Sequence, residues 1–249
     1  MPFEHAFLSH VGCWRHENQD SFLEAPQQNV FAVADGMGGL AEGSAASRLA
    51  CKAFRYQLDH NPHNLMMYFQ HAHELVLKMA KQRGFRPNEV GTTGVVLQLD
   101  PLRRTASVCW CGDSRLYHFK ATAGRLEQVT IDHSYVQRLV DLGQITPEQA
   151  LHHSDRNIIT HAIGIGPAEG LKVGTRRRAV EEGDVLILCT DGLNNEVPFA
   201  QMEYLCQEYC GAPQELVEQL VASALSGGGH DNVTVGVIKI GFEENGLAD

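Results

Sequence analysis

Basic residues are in short supply: 20 Lys and Arg stand against 30 Asp and Glu, a formal net charge of -10 in a chain of 249 residues. Affinity for a polyanion rests on lysines and arginines that release its counterions, so the deficit argues against DNA and RNA as partners. Long apolar runs are also missing. The densest, Val185 to Cys189, is far too short to cross a bilayer, and Met1-Pro-Phe-Glu-His has no basic segment leading into an apolar one. These absences make a cytoplasmic protein with no membrane partner the expectation. The seven cysteines (Cys13, Cys51, Cys109, Cys111, Cys189, Cys206, Cys210) include no C-x-x-C pair and read as reduced, mostly buried small hydrophobes. None of the thirteen histidines falls in H-E-x-x-H, and His71-x-His73 lies on an ordinary helical pattern. No repeat, low-complexity tract or linker interrupts the chain, so one domain over residues 1–249 is expected.

What is present is a succession of short elements. Apolar runs at Phe7 to Cys13 and Val30 to Ala34 predict two strands, after which Gly36-Met37-Gly38-Gly39 predicts a turn. Ala45, Leu49, Ala50, Phe54 and Leu58 recur at helical spacing from about Glu42, and a second amphipathic helix is predicted from Asn64 to Gln82. Strands are then predicted at Thr93 to Leu99, Thr105 to Cys111, Arg115 to Phe119, Leu126 to Val129, Leu171 to Arg178 and Val185 to Cys189. Helices at about Phe199 to Cys210 and Pro213 to Leu225 precede a last strand, Val233 to Ile240, and Pro147 opens a helical turn in the mixed segment from 132 to 163. Strands in the middle with helix pairs before and after imply an α+β fold with sheets inside and helices outside.

The chemistry sits where apolar runs stop or start. Asp35 follows Val30 to Ala34, Asp113 follows Val108 to Gly112, Asp191 follows Val185 to Thr190, Asp231 precedes the last strand, and Asp20 opens Ser21-Phe22-Leu23. If the strands are antiparallel neighbours, one strand's end lies beside the next one's start, and Asp191 and Asp231 can meet. Gathered carboxylates repel by about 4 kcal/mol per pair at ~4 Å and an effective dielectric near 20, so the cluster needs cations. Oxygen ligands without Cys or His select hard ions, Mg²⁺ or Mn²⁺. A single Asp-Gly is ordinarily only a turn; it is the repeated pairing of carboxylate and glycine, with the donor fork of Arg15 in Arg15-His16-Glu17-Asn18-Gln19-Asp20, that points to phosphate chemistry.

The motifs resemble the metal-dependent serine/threonine protein phosphatases, the PPM or PP2C-like family, in compact bacterial form. They are R-x-x-N-x-D at Arg15 to Asp20, D-G-M-G-G at Asp35 to Gly39, G-T-T at Gly91 to Thr93, G-D-S-R at Gly112 to Arg115, D-H-S at Asp132 to Ser134, R-N at Arg156-Asn157, T-D-G at Thr190 to Gly192 and G-x-D-N-x-T at Gly229 to Thr234. They stand in the family's order from about residue 5 to 240. The resemblance implies a four-layer α/β/β/α sandwich and two Mn²⁺ or Mg²⁺ ions bridged by a hydroxide. It makes Asp35 the bridging ligand, gives Gly36 a carbonyl contact, and has Asp191 and Asp231 complete the pair. Asp20 would act through water or from behind the ligands, Asp113 would help hold a weaker third ion, and Arg15 would bind the substrate phosphate. Residues 132–163 would form the family's mobile flap.

Two ions that acidify a shared water need no cysteine nucleophile, and a phosphocysteine mechanism is set aside. Met37 departs from the histidine of many eukaryotic members, and a thioether donates no proton to a departing serine oxygen. That leaves the general acid unassigned, with a metal-bound water or a histidine such as His161 as the candidates. Gln19 replaces a carboxylate of many relatives. The implied partners are phosphorylated proteins and an opposing Ser/Thr kinase, with the enzyme a monomer. A degenerate binding module would have lost metal aspartates, and here Asp20, Asp35, Asp113, Asp191 and Asp231 are all present. A two-metal nuclease would want a basic groove, whereas the compact basic run Arg176-Arg177-Arg178 is read as a solvated edge strand.

Overall fold

Every side chain of Val30-Phe31-Ala32-Val33 is apolar, which suits a strand only when both its faces are covered. Both are. The computed structural model describes residues 3–38 and 42–241. Its strands are β1 (Phe3–His10), β2 (Asp20–Ala25), β3 (Val30–Met37), β4 (Gly91–Thr92), β5 (Gly94–Asp100), β6 (Thr105–Cys111), β7 (Arg115–Lys120), β8 (Arg125–Gln128), β9 (Gly174–Ala179), β10 (Val185–Cys189) and β11 (Val233–Ile240). Its helices are α1 (Glu42–His60), α2 (Leu65–Gln82), α3 (Tyr135–Asp141), α4 (Pro147–Leu151), the single turn α5 (Asp191–Asn194), α6 (Phe199–Tyr209) and α7 (Pro213–Gly227). One antiparallel sheet runs β1-β11-β10-β7-β8 and the other β2-β3-β5-β6-β9, with β4 beside β3.

Alternation along the strands makes three apolar layers. Phe31, Val33, Val95, Leu97 and Val108 of one sheet meet Leu116, Leu186, Leu188, Ile238 and Ile240 of the other. Their neighbours face outward: Val30, Ala32 and Val96 pack under Ala46, Ala50, Phe54, Tyr68, Phe69 and Val76 of α1 and α2. On the opposite side Val185, Ile187, Val235 and Val237 pack under Met202, Leu205, Leu216, Leu220 and Val221 of α6 and α7. This is the α/β/β/α sandwich expected. Burial of a Phe or Leu side chain is worth about 1.5–3 kcal/mol, and three such layers hold the strand ends rigidly against one another.

Three boundaries differ from expectation for a shared reason, the partner strand. The first strand spans Phe3–His10 rather than Phe7 to Cys13, because its partner β11 runs from Ile240 opposite Phe3 to Val233 opposite His10 and then stops. The third continues through Asp35-Gly36-Met37, since the two-residue β4 supplies Thr92 opposite Gly36 and Gly91 opposite Met37. The predicted turn is therefore strand as far as Met37, while Gly39 lies outside the described residues. The ninth begins at Gly174, not Leu171, where its pairing with Trp110 of β6 begins. It is an edge strand, as the arginine run implied: Arg176 Nη1 donates to Val129 O at 2.6 Å and Arg177 Nε to Ser107 Oγ at 3.2 Å.

Candidate active site

The two sheets bring the aspartates to one end of the sandwich. Asp20 and Asp35 are directly opposite in β2 and β3. Across the inter-sheet layer, Asp20 Oδ2 accepts from Thr190 Oγ1 at 2.8 Å and Thr234 Oγ1 at 2.7 Å, tying β2 to the ends of β10 and β11. Thr190 N donates to Thr234 O at 3.0 Å, and this link places Asp191 and Asp231 side by side. Thr93 fixes the remaining corner: its N donates to Asp35 O at 2.8 Å, its Oγ1 accepts from Asp35 N at 3.0 Å and lies 2.7 Å from Ser114 Oγ, beside Asp113. The threonines of T-D-G and G-x-D-N-x-T thus work as struts between sheets, and Thr93 of G-T-T braces Asp35 against Ser114.

Gly36 is a requirement of close approach. A Cβ there would stand 2.0 Å from Gly43 O in the first turn of α1, so no other residue lets β3 run beneath that helix. Asn232 closes the other side, its Oδ1 accepting from Gln19 N at 2.8 Å and its Nδ2 donating to Val11 O at 2.8 Å and Glu17 O at 3.0 Å. Sequence reasoning did not single out Asn232, Thr190 or Thr234, although each adjoins or belongs to a motif.

Crowding marks the cluster electrostatically. Burial pushes Asp35 well above the usual carboxylate range, and Asp20, Asp191, Asp113 and Asp231 push it further. Burial followed by Asp191 and Asp132 does the same to Asp113, and burial followed by Asp231 raises Asp191, which shares a hydrogen bond with Asp35. Burial raises Asp20 to about 7 despite its two threonine donors. Arg15 stands at the mouth, its side chain 54% exposed, with Nη2 donating to Asp231 Oδ2 at 2.7 Å. That bond, ahead of other effects, raises its pKa.

Asp20 Oδ1, Asp113 Oδ1 and Asp191 Oδ1 are buried with no hydrogen-bond partner. A buried acceptor left unmatched costs about 1–3 kcal/mol, more when charged, and a hard cation is the partner such oxygens suit. Among the described residues no group of three or more His, Cys, Asp or Glu side chains is already arranged to hold a metal ion. Arg15 takes up one oxygen of Asp231, and Asn232 N takes the other at 2.8 Å. The donor set fits a divalent oxygen-seeking ion once Asp231 is shared.

Three residues lie elsewhere. His161 is across the 132–163 segment in a cavity of about 460 Å³ with Trp110, His133, Arg138 and Lys172; its Nδ1 is 3.0 Å from Thr160 Oγ1 and its ring is edge-on to His133 at 5.5 Å. The only aspartates lining that cavity are Asp132 and Asp141, so His161 does not face the cluster. Cys109 and Arg115 have the C-x₅-R spacing of phosphocysteine enzymes, which the sequence reading overlooked. Cys109 faces α1 and α2 in the core, where burial pushes its thiol up to about 12, while Arg115 is clamped on Asp132, donating through Nη2 at 2.7 Å and Nε at 2.9 Å.

The sequence pattern described as protein phosphatase 2C matches residues 15–222. The chain belongs to that family. It is 30% identical over 253 residues to the serine/threonine phosphatase stp of Listeria innocua, covering 96% of this chain and 97% of that one. The fold agrees: the solved serine/threonine phosphatase PstP/Ppp of Mycobacterium tuberculosis superposes with a TM-score of 0.86 at 30% identity, covering 96% of this chain and 99% of that one. A catalytic domain of PstP solved with two manganese ions gives 0.82 at 29% identity, with the same coverage. Membership makes the chain a protein serine/threonine phosphatase of the metal-dependent class.

Proposed function

We propose that this phosphatase removes phosphate from phosphoserine and phosphothreonine of proteins at the aspartate cluster, and that it counteracts a Ser/Thr kinase in the cytoplasm as a monomer, with residues 1–249 forming one catalytic domain. The observation that carries the site assignment is the convergence of Asp20, Asp35, Asp113, Asp191 and Asp231 from both sheets, with three buried carboxylate oxygens unpartnered.

In this reading Asp35, Asp191 and Asp231, with the Gly36 carbonyl, hold two Mn²⁺ or Mg²⁺ ions, and Asp113 helps hold a weaker third. Bound there, the cations acidify water and offset charge on the phosphoryl oxygens. Asp20, already committed to Thr190 and Thr234, acts from behind, keeping the two sheets and hence the ligands in register. Arg15 has five N–H donors and gives Asp231 one through Nη2, leaving a guanidinium half-exposed at the mouth to orient the incoming phosphate. Segment 132–163 borders this mouth through His133 N, which donates to Gly112 O at 3.0 Å beside Asp113.

The test is phosphate release from phosphoserine and phosphothreonine peptides with Mn²⁺, with Mg²⁺ and with EDTA. Metal-dependent release is expected; full turnover of metal-free protein would overturn the assignment.

A further inference from the structure

Trp14 is one of two tryptophans and lies 68% exposed, although leaving a large apolar ring in water gains nothing for the fold. It is nevertheless held in place. Its Nε1 donates to Gly228 O at 3.2 Å, and its ring stacks on His230 with centroids 5.6 Å apart and planes 10° from parallel. His230 is itself fixed: Nδ1 lies 2.8 Å from Glu196 Oε1, and its backbone N donates to the same oxygen at 3.2 Å. Cys13 N donates to Gly229 O at 2.7 Å and locks the two segments together. Gly228 is needed for this seat, because at φ +147° a Cβ would lie 2.3 Å from His230 Cε1.

The segments form two adjacent pairs. Trp14 lies on His230, and in the next position of each segment Arg15 lies on Asp231. The outer face of the indole is therefore a fixed platform on the residue next to Arg15, the two side chains springing from Cα atoms ~3.8 Å apart and resting on the consecutive residues His230 and Asp231. A ligand drawn to Arg15 by its phosphoresidue must lay a neighbouring side chain near the indole. The chemistry of that side chain follows from charge. An indole face is the strongest aromatic attractor of cations, the carboxylate of Glu196 lies under the stack, and the chain carries a net -10.

We propose that Trp14, seated on His230, is a specificity-determining residue that binds a lysine or arginine side chain flanking the phosphoresidue of the substrate. The inference rests on the phosphatase site at Arg15 and adds to it a preference in the substrate. Trp14 is a binding residue here and takes no part in the phosphoryl transfer.

The experiment compares wild type with Trp14→Ala and Trp14→Phe in Mn²⁺, using an activated aryl phosphate and three series of phosphoserine peptides. The series carry arginine, alanine or phenylalanine at one of the two positions on either side of the phosphoserine. In Trp14→Ala, kcat/KM for the best arginine peptide should fall about fivefold relative to that for the aryl phosphate, mainly through KM. Trp14→Phe should recover part of the loss. The alanine and phenylalanine series should change by less than the arginine series. A binding readout runs alongside: Trp110 is buried, with Nε1 donating to Ile131 O at 2.7 Å, so acrylamide quenching of intrinsic fluorescence reports chiefly Trp14. The arginine peptide should protect it more than the alanine peptide does. An equal loss in all three series, a larger loss with phenylalanine, or no protection would overturn the proposal while metal-dependent aryl phosphate hydrolysis stands. Absence of any hydrolysis would count against the phosphatase site itself.

Discussion

Arg15 Nη2 and Asp231 Oδ2 are joined by a 2.7 Å ion pair that couples the residue assigned to the phosphate with one assigned to the metal. The pair competes with both ligands, for a cation must share Asp231 and a phosphate must share Arg15. Arg15→Ala should therefore raise KM for phosphopeptides about thirtyfold, the equivalent of ~2 kcal/mol for a lost charge-assisted contact, and tighten Mn²⁺ binding measured by calorimetry. Weaker Mn²⁺ binding in Arg15→Ala would show that the guanidinium positions Asp231 for the metal instead of opposing it.

Asp35 sits among four other carboxylates, each of which disfavours its charge. Asp35→Asn and Asp191→Asn should each lower kcat at least about a hundredfold by removing a cation ligand. Each should leave the melting temperature in EDTA no lower than that of wild type, because a negative charge has left a repelling cluster. A steep fall in the melting temperature of either variant in EDTA would identify that aspartate as a structural residue.

Without metal the cluster should make stability fall as pH rises. Asp20 is raised to about 7 and Asp35, Asp113 and Asp191 are also raised, so between the unfolded value of about 4 and about 7 the folded protein holds more protons than the unfolded chain. The contribution of Asp20 is fully present below about pH 4 and disappears as pH climbs through about 7, and those of Asp35, Asp113 and Asp191 disappear as pH climbs through their own raised values. In EDTA these groups should make the melting temperature decline across that interval. The increment from saturating Mn²⁺ should grow over the same range, since the ion binds the deprotonated carboxylates. A stabilisation by Mn²⁺ that is the same at pH 5 and pH 8 would contradict this linkage.

Much of this site could be read from sequence because its aspartates mark the ends of strands whose apolar pattern is strong. Val185 to Cys189 and Val233 to Ile240 were legible as strands, and their antiparallel pairing then brings Asp191 to Asp231. What was not legible depends on partners distant in sequence. The extension of β3 through Met37 needs Gly91 and Thr92, and the struts to Asp20 come from Thr190 and Thr234, whose hydroxyls give no local sign of facing a carboxylate. Helix α3 was missed although Ser134 is its N-cap, accepting from Gln137 N at 3.2 Å, an S-x-x-Q signature that could have located it. Trp14 was passed over because an exposed tryptophan beside a glycine turn has no periodicity to reveal it.

Met37 bears on how the leaving oxygen gains its proton. It lies in β3 opposite Gly91, two residues past Asp35, and its thioether offers no proton. An aryl phosphate releases a phenolate that leaves without help, whereas a serine alkoxide needs a donor, so the two substrates separate the proton from the rest of the reaction. In Met37→His, kcat/KM for the aryl phosphate should stay within about twofold of wild type, while that for a phosphoserine peptide should rise as the imidazole supplies the proton, with the ratio of the two tracking imidazole protonation across pH. If wild type already shows on the peptide the solvent-isotope effect and pH profile of an internal acid, another residue donates. His161→Ala is then the informative variant: its cavity is lined by Trp110, His133 and Lys172 and by none of the five clustered aspartates, so retention of the peptide rate in that variant would remove it from consideration.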